Sequence, residues 1–575
     1  MGNFDGALRA ALLACTFLCS AATAAVAQTT PPVPNAALGV PSREELDPSR
    51  RAPEVEQQRA READLFARPD AGPCPLANSA LSFTLQSVTF NGATAASSEE
   101  LASTYAGLVG RTVPVSTICE IRDRASDIFF DRGVLARVEI PEQRIQDGQL
   151  VLEVIEARVA TVRVRGDAGP AQARVEGYLE QLRGLAPFDL ATAQRYLLLA
   201  SDVPGVQLQA AIRPSAAGRG AVDLEVNVGR DPIDVVANVQ NFGSESIGRW
   251  GGLVRTDFNG FTPWGERSSL ILYSTLESDE QRIIQLIEEA RIGDTGLLAR
   301  GSLAYAKTKP GGELKVLGLE SDSVVASIEG VYPLIRTRRR NLNALGGFEY
   351  VNQETVFGTG GVLSDDRVRI LFGRLEGSAR RTGVLPLDAL AGVEVRKGVD
   401  VLDASQAGDP TLTRNEAQPT ATVWRFDARA DAALPARLGA GFAVQAQYTD
   451  EPLLSYEQLA VGNLTIGRGY DPSSVSGDRG VAASFELRTG PFTPASWLQV
   501  SGYGFYDVAR IEDLSAGGEE RTVASAGAGI RFRVSYGTRQ FNVDLAYAEP
   551  LDKALSQAPE KPPSRLLLSV TAALY

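Results

Sequence analysis

The residues best suited to chemistry in this chain are few, and a missing type is the first clue. There is no histidine among the 575 residues, so Ser-His-Asp and Cys-His nucleophilic sites and every His-containing zinc motif are excluded. Cysteine numbers only 4. Cys15 and Cys19 fall in an apolar leader, and the remaining Cys74 and Cys119 are too few for a four-cysteine metal site. The chain reads as a non-enzyme with no cofactor and no metal. One arginine stands apart. In Ile466-Gly467-Arg468-Gly469-Tyr470 two glycines free the backbone to turn tightly, and the planar guanidinium suits a two-point grip on a carboxylate. From this motif alone an internal ion pair and an exposed arginine on a surface hairpin are both open.

The elements that must position such a residue follow from the chain as a whole. A net charge of −13 argues against a nucleic-acid partner, which calls for a basic footprint, and against docking on an anionic membrane surface. Gly is plentiful at 56 and Met nearly absent at 1, which suits tightly turning β-structure. Leu8 to Ala25 reads as the apolar core of a signal peptide, and Ala25-Val26-Ala27 as its cleavage pattern, although Asp5 offsets Arg9 ahead of it. Residues 1–27 are thus expected to be removed. Cys74 and Cys119 then meet an oxidising compartment as the only pair, which predicts a disulfide; two unrelated buried thiols are the alternative. Such a bond closes a loop of about 45 residues, worth at most ~4 kcal/mol in the chain-entropy model.

Residues 28–75 precede the folded part. Gln28 to Pro53 has a linker's Pro, Ser and charge content, and a second Pro-rich stretch runs from Asp70 to Pro75. Between them, Glu54 to Ala67 is rich in helix formers but carries little apolar surface, so it predicts a solvated or pore-lining helix, a possible plug, with a disordered charged linker as the equal alternative. Two units of one grammar follow, at 76–156 and 157–230, each β-α-α-β-β. In the first, Leu81 to Gly92 reads as a strand. Leu101, Tyr105, Leu108 and Val109 mark one helix face and Ile118 to Phe129 a second, before strands Leu135–Ile140 and Gln149–Ile155. The second unit repeats this from Val159 to Val228.

From Asp231 to Tyr575 alternation replaces helical periodicity. Trp424, Phe426, Ala428 and Ala430 alternate with Arg425, Asp427, Arg429 and Asp431; Val481, Ala483, Phe485 and Leu487 alternate with Ala482, Ser484, Glu486 and Arg488. A period of two gives a sheet with one apolar and one polar face. A sandwich and a membrane barrel share that pattern. About 345 residues is too many for one ordinary sandwich, the polar face is heavily charged, and Tyr273, Tyr332, Tyr350, Tyr448 and Tyr547 lie at strand ends, where a membrane girdle needs aromatics. A closed antiparallel barrel satisfies every backbone group in lipid. Roughly 21 residues per strand and loop predicts sixteen strands.

The stretch Phe130-Asp131-Arg132-Gly133-Val134-Leu135, then Ile140-Pro141-Glu142-Gln143, then Asp147-Gly148-Gln149-Leu150-Val151-Leu152-Glu153-Val154 resembles the first POTRA domain of two-partner secretion transporters, the haemolysin-activator and filamentous-haemagglutinin transporter type. Ala157 departs from that pattern, where Gly is usual. The resemblance implies two small α+β POTRA domains followed by a transmembrane β-barrel in the outer membrane of a Gram-negative cell. It places the POTRA domains in the periplasm and carries the motif residues Gly133, Ile140, Pro141, Gln143 and Gly148. It also supports Cys74 with Cys119, since the family commonly has one cysteine before the first POTRA strand and another within the domain. It implies that a loop tip of Arg468, Gly469 and Tyr470 folds into the lumen, with Asp507 of Gly504-Phe505-Tyr506-Asp507-Val508 as its inner-wall partner.

The partners implied are a large secreted exoprotein, unfolded in the periplasm, the outer-membrane lipid, and the barrel assembly machinery that reads a terminal aromatic such as Tyr575. Export would need no nucleotide. In the last strand the apolar residues share the parity of Leu574 rather than of Tyr575, so which face meets lipid there is open. An outer-membrane insertase of the same architecture and a diffusion porin are the rival readings. The first would carry more POTRA units as a rule, and the second would have no use for them.

Overall fold

The computed structural model describes residues 40–51, 72–276, 280–515, 518–537, 539–554 and 560–574. The signal peptide, the helix expected at Glu54–Ala67 and Tyr575 lie outside the described residues.

Two three-stranded sheets with helices packed on them precede a closed sixteen-stranded antiparallel barrel. In the first small unit, Ser87–Asn91 runs parallel to Gln149–Glu156, which pairs on its other side with Ala136–Glu139. The 15-residue helix Thr117–Asp131 lays Ile118, Ile121, Ala125 and Phe129 onto that sheet, the i, i+3/i+4 stripe that its sequence carries. The preceding region differs from the sequence reading. Leu81–Gly92 is not one strand: Ser82–Thr84 pairs with Thr112–Pro114 in a separate ribbon. The helix marked by Leu101 to Val109 is only Ser98–Ala102, followed by a short 3₁₀ turn at Ala106–Leu108. Glycines 107 and 110 account for the break, since each loses more backbone entropy in a helix than other residues do.

The second unit follows the expected grammar closely. Arg158–Gly166, helices Gln172–Glu180 and Leu190–Ser201, and strands Val206–Pro214 and Ala221–Arg230 enclose a core of Val175, Tyr178, Leu179, Leu197, Leu199 and Val226. It is docked on one rim of the barrel. Arg336 grips Asp202 through two bonds (2.6 and 2.7 Å), Arg174 donates to the Gly293 carbonyl (2.7 Å) and Arg195 to that of Pro333 (2.9 Å). This is the near rim, and the long loops open at the far rim.

The barrel begins with Ile233–Gln240 and closes where that strand meets the last, Arg565–Leu574, in register Ser569↔Gln240 to Leu574↔Val235. Asn238 fastens this seam from inside through Ser569 and Thr571 (both 2.9 Å). Trp424, Phe426, Phe485, Leu487 and Ile328 stand exposed on the outer face, while Asp507, Ser525, Gln353 and Thr308 are buried within. The last strand resolves its own ambiguity: Leu566 and Leu574 are exposed outward, and Leu567, Ser569, Thr571 and Ala573 point inward. Tyr332, Tyr448 and Tyr547 are exposed at strand ends as a girdle requires. Tyr273 is not part of it: it is buried, pointing into the lumen under Arg51. Tyr350 faces out but lies beneath the guanidinium of Arg369. Parity decides each case, and strand-end position alone does not. Among the described residues no helix is long and apolar enough to cross a membrane.

Candidate functional site

Two stretches of chain enter the far end of the lumen. The connection at 449–478, between strands Leu438–Tyr448 and Arg479–Ala495, folds inward as a loop with its own small ribbon, Leu459–Val461 paired with Val475–Gly477. At its tip Gly467 has φ +124°, a conformation L side chains rarely adopt. A Cβ on Gly469 would come 2.7 Å from Ser525 Cβ and 2.9 Å from the Pro550 nitrogen. The tip can therefore lie flush on the wall only with glycine there.

Arg468 is thereby aimed at the strand Leu498–Glu512. Its Nε and Nη2 donate to the two oxygens of Asp507 (3.0 and 2.8 Å), and its own backbone N–H adds a third donor at 2.9 Å. Nη1 reaches Glu486 (3.0 Å) and Nη2 also reaches Ser484 Oγ (2.9 Å), while the guanidinium lies 3.6 Å over the Phe505 ring. Asp507 is 1 % exposed as a side chain, against 20 % for Arg468. Tyr470 is buried, with its hydroxyl 2.9 Å from the Ala524 carbonyl and 3.0 Å from that of Asp552. Gly469 donates its N–H to Ser525 Oγ at 3.2 Å. The structure thus brings Arg468, Gly469, Tyr470 and Asp507 together.

Sequence reasoning missed Glu486, Ser484 and Phe505. Ser484 and Glu486 were visible as inward polar residues of their strand. What could not be seen was the register, Ser484↔Asp507 and Glu486↔Phe505, which sets all four on one patch of wall. Arg531 completes it, reaching Glu486 at 2.6 and 3.1 Å.

A second occupant comes from the N-terminal region where a plug was expected, but from the part read as linker and not from Glu54–Ala67. Residues 40–51, of linker composition, enter the same end of the lumen. Ser42 and Glu45 form a capping box that starts the helix Arg43–Leu46. Arg51 is buried, donating to Tyr273 Oη (3.0 Å), Gln281 Oε1 (3.0 Å) and the Glu45 carbonyl (2.9 Å), and its guanidinium lies 4.1 Å over the Tyr273 ring. Gln353 donates to the Pro41 carbonyl (2.7 Å), and Ser42 touches the inward loop at Ser473 (2.6 Å). The capping box was legible in Ser42-x-x-Glu45; its location was not.

Two further ion clusters tie the loops. Arg396 pairs with Glu349 (2.8 Å) and Glu457 (2.9 Å). Asp478, fully buried, accepts from Arg414 (2.5 Å) and from the backbone N–H groups of Leu453 (2.9 Å) and Leu514 (2.6 Å). Charge-assisted bonds of this kind hold geometry firmly, yet other polar groups can replace them. No group of residues suited to hold a metal ion occurs among the described residues.

On the near side, Gly133 takes φ +76° just past the helix end, the left-handed position expected of it. Its carbonyl accepts from Leu190 N (2.7 Å), which joins the two small units. Ile140 packs on the first core. Pro141 has no N–H to continue the ladder, and the Gln143 amide takes the vacant position, accepting from Val151 N (2.8 Å) and donating to its carbonyl (2.7 Å). Gly148, at φ +72°, lies where a Cβ would meet the Thr84 carbonyl at 2.2 Å. Cys74 and Cys119 are disulfide-bonded, with Cα atoms 5.7 Å apart. Glu100 closes a capping box on Ser97: bonds from the Ser97 backbone and hydroxyl, then from Arg132, hold its carboxyl down at about 2.

Residues 218–532 match the family model described as haemolysin secretion/activation protein ShlB/FhaC/HecB, and residues 83–157 match the ShlB-type POTRA domain. Over 483 residues the chain is 23 % identical to the heme/hemopexin transporter protein HuxB of Haemophilus influenzae, covering 80 % of this chain and 82 % of that one. CdiB from Escherichia coli superposes with a TM-score of 0.71 at 17 % identity, over 89 % of this chain and 94 % of its own. CdiB from Acinetobacter baumannii gives 0.60 at 14 % identity, over 98 % and 97 %. The protein is an outer-membrane transporter that exports a partner exoprotein, with its POTRA domains in the periplasm, and is not an enzyme. By its sequence over more than half its length, the chain belongs to the ShlB/FhaC/HecB haemolysin secretion/activation family.

Proposed function

We propose that this transporter rests closed and opens for one unfolded client, whose passage displaces two removable occupants of the lumen. One is the loop at 449–478, held by Arg468 on Asp507 and Glu486; the other is the segment 40–51, held by Arg51. The observation that carries this reading is the chemistry of their attachment. Arg468 and Arg51 fasten them to the polar wall through ion pairs and hydrogen bonds, which the polar groups of a passing polypeptide can replace. Beside these bonds, Leu46, Leu454 and Tyr456 pack with Ile271, Ile283 and Ile370, and Val461, Ile466 and Val475 pack with Ala509 and Val523, so displacement also exposes apolar side chains that the client must cover.

On this reading, residues 76–156 and 157–230 are two periplasmic receptor units, and 231–575 is the pore. The client docks as an extended strand against an open sheet edge of the receptor units, threads the barrel without nucleotide and folds outside, so that folding draws the chain onward. The barrel is seated in outer-membrane lipid by its apolar band and inserted by the barrel assembly machinery. HuxB is named for heme/hemopexin transport, and the client here is expected to be a large secreted protein of comparable kind. The test is export of the partner exoprotein by cells carrying the full chain or a chain lacking residues 40–51. Conductance in planar bilayers is recorded in parallel. Unchanged resting conductance after the deletion would remove the plug from the proposal.

A further inference from the structure

The strands Arg340–Phe357 and Gly361–Arg381 overshoot their neighbour. Leu387–Gly398 ends at the pair Ile370↔Gly398, so residues 361–369 have no strand on that side. An uncovered edge of this kind invites wrong pairing. The following connection covers it: Val399 N–H donates to the Arg369 carbonyl (2.8 Å), Ser405 N–H to that of Arg367 (2.9 Å), and Asp365 N–H to that of Thr411 (2.7 Å). Between the first two contacts, residues 400–404 bulge away from the ladder.

The direction of the bulge is fixed by side-chain parity. Val368 and Ile370 belong to the lumen cluster with Leu46 and Tyr456, so Arg367, Arg369 and Leu371 point to the outer face, where Leu371 stands exposed. Those two arginines hold the bulge. Arg369, 1 % exposed, stacks 3.6 Å over Tyr350 and donates Nε and Nη2 to the Leu402 carbonyl (3.2 and 3.0 Å). Arg367 pairs with Asp403. Leu402 and Asp403 adopt φ +51° and +59°, a region that L side chains avoid. The outcome of this strained, clamped turn is that Leu402 is 64 % and Val401 46 % exposed.

Facing water, the strain and the two bare side chains would gain nothing. The same outer face continues directly into apolar surface, with Leu371, Val393 and Trp424 exposed, and Lys397 lies opposite Leu371 in the register. Aromatic and cationic side chains above an apolar band mark the membrane–water boundary of a barrel. We propose that residues 400–404 are an interfacial anchor, with Val401 and Leu402 seated among the acyl chains of the outer leaflet. The same connection then runs inward to Thr413, which bonds Asp366 (2.5 Å), and to Arg414 on Asp478. One end of this strap is thus held by lipid and the other by the residue that ties the lumen loop.

The inference rests on the barrel spanning the outer membrane, and its test separates the two. Nitroxide labels are placed singly at Val401→Cys and Leu402→Cys in the full chain, with Cys15 and Cys19 replaced by Ala. Leu371→Cys serves as the lipid reference, and Val316→Cys, 87 % exposed on a far-rim loop, as the water reference. In vesicles containing lipopolysaccharide, the oxygen-to-nickel accessibility ratio at 401 and 402 is expected to match that at 371 and to exceed that at 316 several-fold. Ratios at 401 and 402 equal to that at 316 overturn the anchor, as does shielding from both reagents. A water-like ratio at 371 would instead sink the barrel reading itself.

Discussion

Replacing Arg468 by Ala removes four side-chain hydrogen bonds and a ring contact, yet the loss is bounded. Asp507 keeps the Ser484 hydroxyl (2.7 Å) and the backbone N–H of residue 468 (2.9 Å), and Glu486 keeps Arg531. Breaking a fully buried pair costs ~3–5 kcal/mol because one charge is left bare. Here Asp507 retains two donors and Arg468 is partly exposed, so about 2 kcal/mol is the appropriate scale for charged hydrogen bonds. At 1.4 kcal/mol per decade, that lowers the ratio of folded-in to released loop by roughly 30-fold. Loop release is read by extracellular protease cleavage within 462–474 in intact cells, and client export by the secreted fraction. The expected result is faster cleavage and sharply reduced export, with barrel assembly intact by heat-modifiable migration. Arg468→Lys, which keeps charge without the fork, should fall between Ala and wild type. Wild-type protection together with wild-type export in the Ala variant would refute the reasoning, because the grip would then hold nothing in place.

Arg51→Ala should loosen segment 40–51 by about 2 kcal/mol, from its three buried bonds, and single-channel recordings should show a higher resting conductance. Gln143→Ala leaves Val151 N–H and C=O without the partner that Pro141 cannot supply. Loss of two bonds, about 1–2 kcal/mol, should appear as faster amide exchange at Val151 in the full chain, while Gln143→Glu should preserve only the accepting half. Glu100 sets a pH dependence: its carboxyl, bonded by Ser97 and Arg132, titrates at about 2 in the folded state, below the ~4.3 of an unfolded glutamate. Its contribution is therefore present above the unfolded value and lost as pH falls towards about 2. Protection of the amides across 97–104, exchange taken relative to the intrinsic rate at each pH, should fall over that window, and Glu100→Gln should flatten the response.

How much of this was legible in the residues differs from element to element. Helix Thr117–Asp131 wrote its own buried stripe, and the strand alternation at 424–431 and 481–488 announced a two-faced sheet, because side-chain direction along one element follows from backbone geometry alone. The absence of histidine excluded Ser-His-Asp and Cys-His sites and His-containing zinc motifs without any structure. The short ribbon at Ser82–Thr84 was lost because a three-residue strand is decided by its partner, here Thr112–Pro114, and not by its own propensity.

The remaining decisions are relations between distant segments. Tyr273 has a girdle residue's chemistry and became a lumen residue only through the parity of its strand. Leu566 and Leu568 were apolar whichever way they pointed, until pairing with Tyr547 and Leu545 turned them to the outside. Ser42 to Glu45 carried a readable helix start, but nothing local states that this helix lies inside a barrel formed from residues that come some two hundred positions later. Arg468 suited a carboxylate but left an exposed hairpin open, and the resemblance pointed to Asp507; only the fold added Glu486, because strand register is a property of two strands at once. Local geometry was thus fixed by the order of residues. Which wall each side chain meets was settled only when the barrel closed.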